Sequence, residues 1–104
     1  MSDAGERAAL MAALQEATAR IEAIAQSRAY ERFERTSPSK LCTATVNLRQ
    51  QLVDFQFLQA NAMRELDRVA LAEEVRSTIA AAQAKAREAT DLIAAEVYAE
   101  LGLS

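Results

Sequence analysis

The side chains that could support chemistry in this 104-residue chain are carboxylates and one thiol, because histidine is absent. Adjacent Glu73 and Glu74 could act as acids or metal ligands, and so could a second acidic set further along the chain. That set consists of Glu88, Asp91, Glu96 and Glu100. Arg76, Lys85 and Arg87 lie among these acids, and opposite charges at i,i+3 and i,i+4 spacing are typical of a solvated helix surface. We therefore expect no catalytic carboxylate and no metal ligand.

The lack of histidine also removes the commonest general base and the usual zinc and di-iron ligand sets of helical bundles. Cys42 is the only cysteine, which excludes an intrachain disulfide and favours a reducing compartment. Its position shortly after Pro38 leaves two interpretations, a thiol activated by a helix dipole or a plain packing residue. The sequence predicts a protein that is not an enzyme and needs no cofactor.

Cations gather in the middle of the first half of the chain, with two glutamates between them. They are Arg28, Arg32, Arg35, Lys40 and Arg49, interleaved with Glu31 and Glu34. The cluster fits a solvated helix end, a surface for an acidic protein patch, or contacts to a phosphate backbone. The net charge of −3 and the interleaved glutamates disfavour nucleic acid as a partner. We expect Arg28, Arg32 and Arg35 to orient a protein partner.

Two aromatic residues, Tyr30 and Phe33, lie off the main apolar stripe of the first predicted helix. Aromatic side chains displaced from a core stripe, with arginine nearby, are typical contact anchors. The alternative is that the following loop folds back over them. We assign both to partner binding.

The chain has few breakers, and their positions predict three helices. Gly5 and Gly102 lie near the two ends, and Pro38 is the only proline. Asp3 followed by Glu6 has the spacing of a capping box, and Ser37 before Pro38 is a favoured helix start. These residues place helices at about 3–35, 38–68 and 72–101, with a turn at 36–39.

Apolar spacing supports this assignment. Helix one carries one apolar stripe, made of Leu10, Leu14, Ala17, Ile21 and Ile24. In helix two the stretch LVDFQFLQ alternates as a strand would, but Leu48, Leu52 and Phe55 also fit a helical stripe, so we interpret it as helix. Val53 and Phe57 then form a second apolar side, which either packs in the core of its own chain or covers a second chain.

The last helix is rich in small residues. Its stripe is Val75, Ile79, Ala82, Ala86, Ala89, Ile93 and Val97. The phase of this stripe differs from that of helix two, which places a break at about residues 67–74, with Asp67 as a candidate cap. Alanines remove little apolar area from water, so we expect dimerisation to complete the core.

Taken together, the sequence predicts a single domain over residues 1–104. The predicted fold is all-α, an antiparallel helical hairpin or three-helix bundle with a long C-terminal helix, completed by a homodimer. We expect a cytoplasmic protein that binds neither nucleic acid nor membrane. The predicted function is a small regulator or adaptor that inhibits another protein by occluding a surface, with Tyr30, Phe33, Val53 and Phe57 as anchors. The alternative is a structural component of a phage particle or secretion machine.

Overall fold

The computed structural model describes residues 3–59 and 67–103, and within them the chain forms an α+β fold. Three antiparallel strands make a sheet with the order β1-β2-β3, which packs against the second of two long helices. The elements in chain order are α1 (Asp3–Ser27), β1 (Phe33–Thr36), β2 (Cys42–Val46), β3 (Leu52–Phe57) and α2 (Arg68–Glu100).

The prediction of an all-α bundle is wrong, because the segment expected to form helix two carries strands β2 and β3. The first helix also ends at Ser27, and β1 occupies the end of its expected range. The alternation in LVDFQF was the correct indication of a strand. The helical spacing misled because a chain rich in leucine and alanine matches a stripe by chance. Valine, threonine and phenylalanine, which favour strands, were given too little weight.

Both hairpin turns are built without glycine, which is why the sequence shows so little punctuation here. Lys40 and Gln50 adopt the left-handed conformation, with φ of 58° and 67°, where glycine is the usual residue. In each turn one side-chain oxygen accepts two backbone N–H groups further along the chain. Ser37 Oγ does so in the first turn and Asn47 Oδ1 in the second. Ser37 thus organises a turn, not a helix start.

The register of the sheet separates an apolar face from a polar one. Phe33 pairs with Val46, and Arg35 pairs with Ala44, so these side chains share the face that α2 covers. The opposite face carries Glu34, Thr36, Thr43, Thr45, Asp54 and Gln56. Helix α2 therefore covers the apolar side of the sheet, and on the polar side Thr45 is the buried residue among those named.

Small residues let α2 lie close to the sheet. Ala82 and Ala86 are fully buried against Ala44 and Val46. These alanines belong to the stripe predicted for the last helix, and its burial confirms that part of the sequence analysis. The apolar stripe of α2 therefore packs against the sheet of its own chain.

The two helices meet along a second buried cluster, which contains Ala17, Ile93 and Val97. Arg20 donates to Glu100 at 3.1 Å, so the middle of α1 lies beside the C-terminal end of α2. The first half of α1 extends past that end. The result is a long, thin molecule with principal extents of 71 × 25 × 15 Å.

Helix α2 begins and ends where the sequence suggested a cap and a stop. The Asp67 carboxylate accepts the backbone N–H of Ala70 at 2.7 Å and caps the first turn. At the other end Gly102 has φ of 72°, and the N–H of Leu103 donates to the carbonyl of Tyr98 at 2.8 Å. This is a Schellman ending, which requires a left-handed residue.

Within residues 3–59 and 67–103, no helix combines the length and apolar character needed to cross a membrane. The assignment of the whole chain to a single domain remains a prediction.

Candidate functional site

Three of the six acidic residues singled out by sequence form surface ion pairs or hydrogen bonds. Glu73 pairs with Arg76 at 3.0 Å, and Glu74 accepts a hydrogen bond from the hydroxyl of Ser39. Glu100 pairs with Arg20. Among the described residues, no three His, Cys, Asp or Glu side chains come together as a metal site would require.

Cys42 is a packing residue. Its side chain is fully buried on the face of β2 that α2 covers, and its Sγ lies 3.7 Å from the hydroxyl oxygen of Thr78. An enclosed thiol cannot meet a substrate. Of the two interpretations left open by the sequence, the structure favours packing.

The four apolar residues predicted as partner anchors fall into two groups. Tyr30 is 74% exposed in the turn after α1, whereas Phe33 starts β1 and packs against both buried clusters. Val53 and Phe57 are exposed on β3, at 43% and 48%. The chain thus folds back over Phe33 but leaves the other three side chains accessible.

The three predicted arginines also differ in their surroundings. Arg28 forms a bidentate pair with Glu31, with one N–O distance of 2.7 Å, and this bond raises the pKa of Arg28 and lowers the pKa of Glu31. Arg32 donates to the carbonyls of Ala29 and Glu31. Arg35 is exposed on β1, and no hydrogen bond or ion pair engages its side chain within residues 3–59 and 67–103.

Arg35 stands at the edge of a depression between β1 and α2, which we call the β1–α2 trough. The trough has a volume of about 400 Å³. It is lined by Arg35, Thr36, Pro38, Ser77, Thr78, Ala81 and Ala84. Past Pro38 and Ser77 lies a second depression, which reaches Ala70 near the start of α2 and is lined by Glu73 and Glu74, so an anion is confined to the trough itself. The alanine floor leaves room for a ligand to approach the helix backbone closely.

Two further cations flank the trough. Lys85 lies one turn beyond Ala81 on the same side of α2, and Lys40 is exposed in the turn between β1 and β2. Neither lysine forms an ion pair with a described residue. By contrast, Arg20 and Arg76 are neutralised by neighbouring glutamates.

The charge is therefore unevenly distributed. Residues 28–49 hold five cations and two glutamates, a charge of +3 along this stretch of sequence, whereas the whole chain has a net charge of −3. Glu22, outside the stretch, pairs with Arg49 at 3.4 Å, so the excess positive charge lies nearer Arg35 and Lys40. At physiological salt the Debye length is about 8 Å, so acids at the far ends of a 71 Å molecule hardly affect this region. An anionic ligand would be attracted here.

Arg35 and Lys40 stood out in the sequence as part of a basic cluster, but the α2 side of the trough did not. The row formed by Ser77, Ala81 and Lys85 has i,i+4 spacing and places small residues on one helix side, which was a usable indication. This row can be recognised as one wall of a trough only if β1 is expected opposite it. The all-α interpretation had assigned the residues of β1 to a helix and a turn.

Comparison with known proteins identifies a family. The model of the YbaB/EbfC DNA-binding family matches residues 4–101. No curated protein matches the chain, and no solved structure matches it.

This match corrects three predictions. A regulator or adaptor that inhibits another protein is wrong, and so is a structural component of a phage particle or secretion machine. The expectation that nucleic acid is not a partner is also wrong. It failed because it used the net charge of the whole chain, although phosphate contacts depend on local charge. The family is described by DNA binding and not by catalysis, in agreement with the expectation of a protein without enzymatic activity.

Proposed function

Because this chain belongs to the YbaB/EbfC DNA-binding family, we propose that it binds double-stranded DNA as a nucleoid-associated protein. The family match over residues 4–101 is the observation that carries the proposal. Such a protein works where the DNA is, so the proposed location is the cytoplasm. The local charge of +3 over residues 28–49 supports the proposal and indicates which side of the molecule faces the duplex.

We assign the DNA contact to the β1–α2 trough and the cations around it. Arg35 offers a planar guanidinium that can bind a phosphate in a bidentate manner, and Lys40 and Lys85 add point charges on either side. The exposed hydroxyl of Ser77 adds a donor on the α2 wall. These groups act together as a phosphate-binding surface.

The length of the trough suits a DNA backbone. From Ser77 to Ala84 it follows 7 residues of α2, or about 10 Å at 1.5 Å per residue. That is the axial length of about three base pairs at roughly 3.4 Å each. The floor of Ala81 and Ala84 would let the sugar-phosphate chain lie close to the helix.

Contacts of this kind position a protein on DNA and carry no direct sequence information. We therefore propose that binding through the trough is driven by counterion release and depends strongly on salt. Duplexes of different sequence should bind with similar affinity if they offer the same backbone.

A pair of charge-matched double variants tests the assignment. Arg35→Gln/Lys40→Gln removes two unpaired cations, whereas Arg20→Gln/Arg76→Gln removes two cations that glutamates already neutralise. Both variants have a net charge of −5, two units below the −3 of the native chain. Fluorescence anisotropy with a labelled duplex, measured across a salt series, reports the affinity and its salt dependence.

We expect the first variant to bind about tenfold to thirtyfold more weakly, and its slope of log K against log salt to fall by about 2. The second variant should keep the native slope. Equal losses in both variants would show that only net charge matters and that the trough is not the contact. Native protein that fails to bind any duplex at low salt would refute DNA binding itself.

We also propose that the DNA-binding unit is a homodimer joined through β3. This strand is an edge of the described sheet. It exposes Leu52, Val53 and Phe57, and Leu58 directly after it is exposed as well, all at 43–49%. Pairing of two β3 edges about a two-fold axis would cover these side chains and continue the sheet. Val53→Lys should yield a monomer in equilibrium sedimentation, and a dimer that persists would place the interface elsewhere.

A further inference from the structure

The turn between β1 and β2 presents Lys40 beside the trough. A lysine side chain is long and flexible, so the freedom it and its turn lose on binding a phosphate weakens the contact. The shape of the turn itself is well defined. The N–H of Lys40 donates to the carbonyl of Ser37 at 2.9 Å, and the Ser37 hydroxyl accepts the N–H groups of Leu41 and Cys42. These bonds fix the shape of the turn and leave open what fixes its position against α2.

Two side chains from elsewhere in the chain hold this turn in place. The carboxylate of Glu74 on α2 accepts a hydrogen bond from the hydroxyl of Ser39, the residue directly before Lys40. The side-chain amide of Gln59, which follows β3, donates to the carbonyls of Ser39 and Lys40 at 3.4 and 3.3 Å. A hydrogen bond to an ionised acceptor is roughly twice as strong as one between neutral groups. Glu74 therefore provides the stronger of the two links.

Glu74 lies on the side of α2 that forms the wall of the trough. Glu74, Ser77 and Ala81 follow one another at i, i+3 and i+7, and so share one side of the helix. The carbonyl of Glu74 accepts the hydroxyl of the buried Thr78 at 2.8 Å. A side chain that starts from a packed helix can hold a turn more precisely than a side chain on a loop.

We propose that Glu74 is a positioning residue for DNA binding, which acts through Ser39 to hold Lys40 at the mouth of the β1–α2 trough. This inference rests on the proposed function and adds to it a residue of unfavourable charge. A carboxylate repels phosphates, so an acid beside a phosphate-binding surface by itself weakens binding. Its bond to Ser39 has the opposite effect, because it orders the turn before DNA arrives and reduces the entropy lost on binding.

Two substitutions separate the charge of Glu74 from its hydrogen bond. Glu74→Gln and Glu74→Ala remove the same charge, and both have a net charge of −2, one unit above the −3 of the native chain. Only glutamine keeps a side-chain oxygen that can accept the Ser39 hydroxyl. Alanine is the best helix former, so its introduction into α2 preserves the helix. A difference in DNA affinity between the two variants therefore reports the bond to Ser39.

Fluorescence anisotropy with a labelled duplex at low salt measures this difference. Glu74→Gln should bind at least as tightly as the native chain, because less negative charge faces the duplex. Glu74→Ala should bind about threefold more weakly than Glu74→Gln, with a slope of log K against log salt lower by up to about 1, because the Lys40 contact is partly lost. The same logic applies on the turn, where Ser39→Thr should keep the native affinity and Ser39→Ala should not.

Glu73 provides the matched control, because it neighbours Glu74 but pairs with Arg76 at 3.0 Å. Glu73→Gln and Glu73→Ala should bind DNA equally. A Lys40→Gln background then separates positioning from a general effect on the fold. In that background glutamine and alanine at position 74 should give the same affinity, since no lysine remains to be held. A difference that persists there would show that Glu74 does not act through Lys40 and would overturn the proposal.

Amide hydrogen exchange without DNA tests the link to the turn directly. The N–H of Lys40 should exchange several-fold faster in Glu74→Ala than in Glu74→Gln, because the turn opens more often once the bond to Ser39 is lost. Equal exchange rates would show that Glu74 does not hold the turn. Native protein that binds no duplex would refute the proposed function and this inference together. Native binding that weakens in Lys40→Gln, with equal affinities of the two Glu74 variants, would refute this inference alone.

Discussion

Replacing Lys40 by glycine should stabilise the fold and weaken DNA binding at the same time. Lys40 has a φ of 58°, a conformation in which a Cβ atom crowds the following carbonyl. Glycine removes that contact. It also removes a lysine that we assign to the DNA contact, so the two properties should change in opposite directions.

The magnitude follows from comparing Lys40→Gly with Lys40→Ala, since both variants lack the lysine charge and differ only in the Cβ atom. Relief of the left-handed strain is worth about 1–2 kcal/mol. The greater conformational entropy of glycine in the unfolded chain costs about 0.5–1 kcal/mol. The glycine variant should therefore be more stable than the alanine variant by about 0.5–1 kcal/mol, or roughly 2–8 °C in Tm for a domain of this size.

Thermal unfolding followed by circular dichroism measures the stability difference, and duplex anisotropy measures affinity. Both variants should lose the same affinity, about fivefold at low salt, because each loses one phosphate contact. A glycine variant less stable than the alanine variant would show that residue 40 is not left-handed in solution. Native affinity in both variants would remove Lys40 from the proposed interface.

Three further outcomes follow from packing, hydrogen bonding and charge. Ala86→Leu should lower the free energy of unfolding by about 1–3 kcal/mol in a denaturant titration, because Ala86 is fully buried against the sheet. Gln83→Ala should cost about 1 kcal/mol, since its side-chain amide donates to the carbonyl of Gln50 at 3.2 Å and holds the second turn against α2. Glu31→Gln should be less stable than the native chain at neutral pH, with the difference disappearing in acid. The reason is that Arg28 lowers the folded pKa of Glu31, so its stabilisation is present above the unfolded pKa and is lost as pH falls through the folded pKa.

The start of α1 and both ends of α2 were predictable from the sequence, whereas the end of α1 and the sheet were not. Asp3 and Gly102 marked a start and a stop by their chemistry, and the alanine stripe marked the buried side of α2. The turns could not be located in this way, because Lys40 and Gln50 adopt a left-handed conformation that their residue types do not predict. Their positions depend on hydrogen bonds from Ser37 and Asn47, which a search for glycine and proline misses.

The candidate site was predictable only in part, for a related reason. Arg35 and Lys40 stood out as cations, but only a folded β1 brings Arg35 beside Ala81 and Ala84 of α2. Sequence also could not separate Arg35 from Arg28, which is neutralised by Glu31 three residues away. Which cation is free to meet a ligand is decided by neighbours in space.

The shape of the molecule affects how its mass should be measured. A chain with extents of 71 × 25 × 15 Å has a Cα radius of gyration of 19.8 Å, compared with about 13 Å for a compact chain of this length. Such a rod tumbles slowly and elutes early from a sizing column, as a heavier sphere would. Elution volume alone would assign two copies to a solution of single chains, so stoichiometry has to come from light scattering or native mass spectrometry.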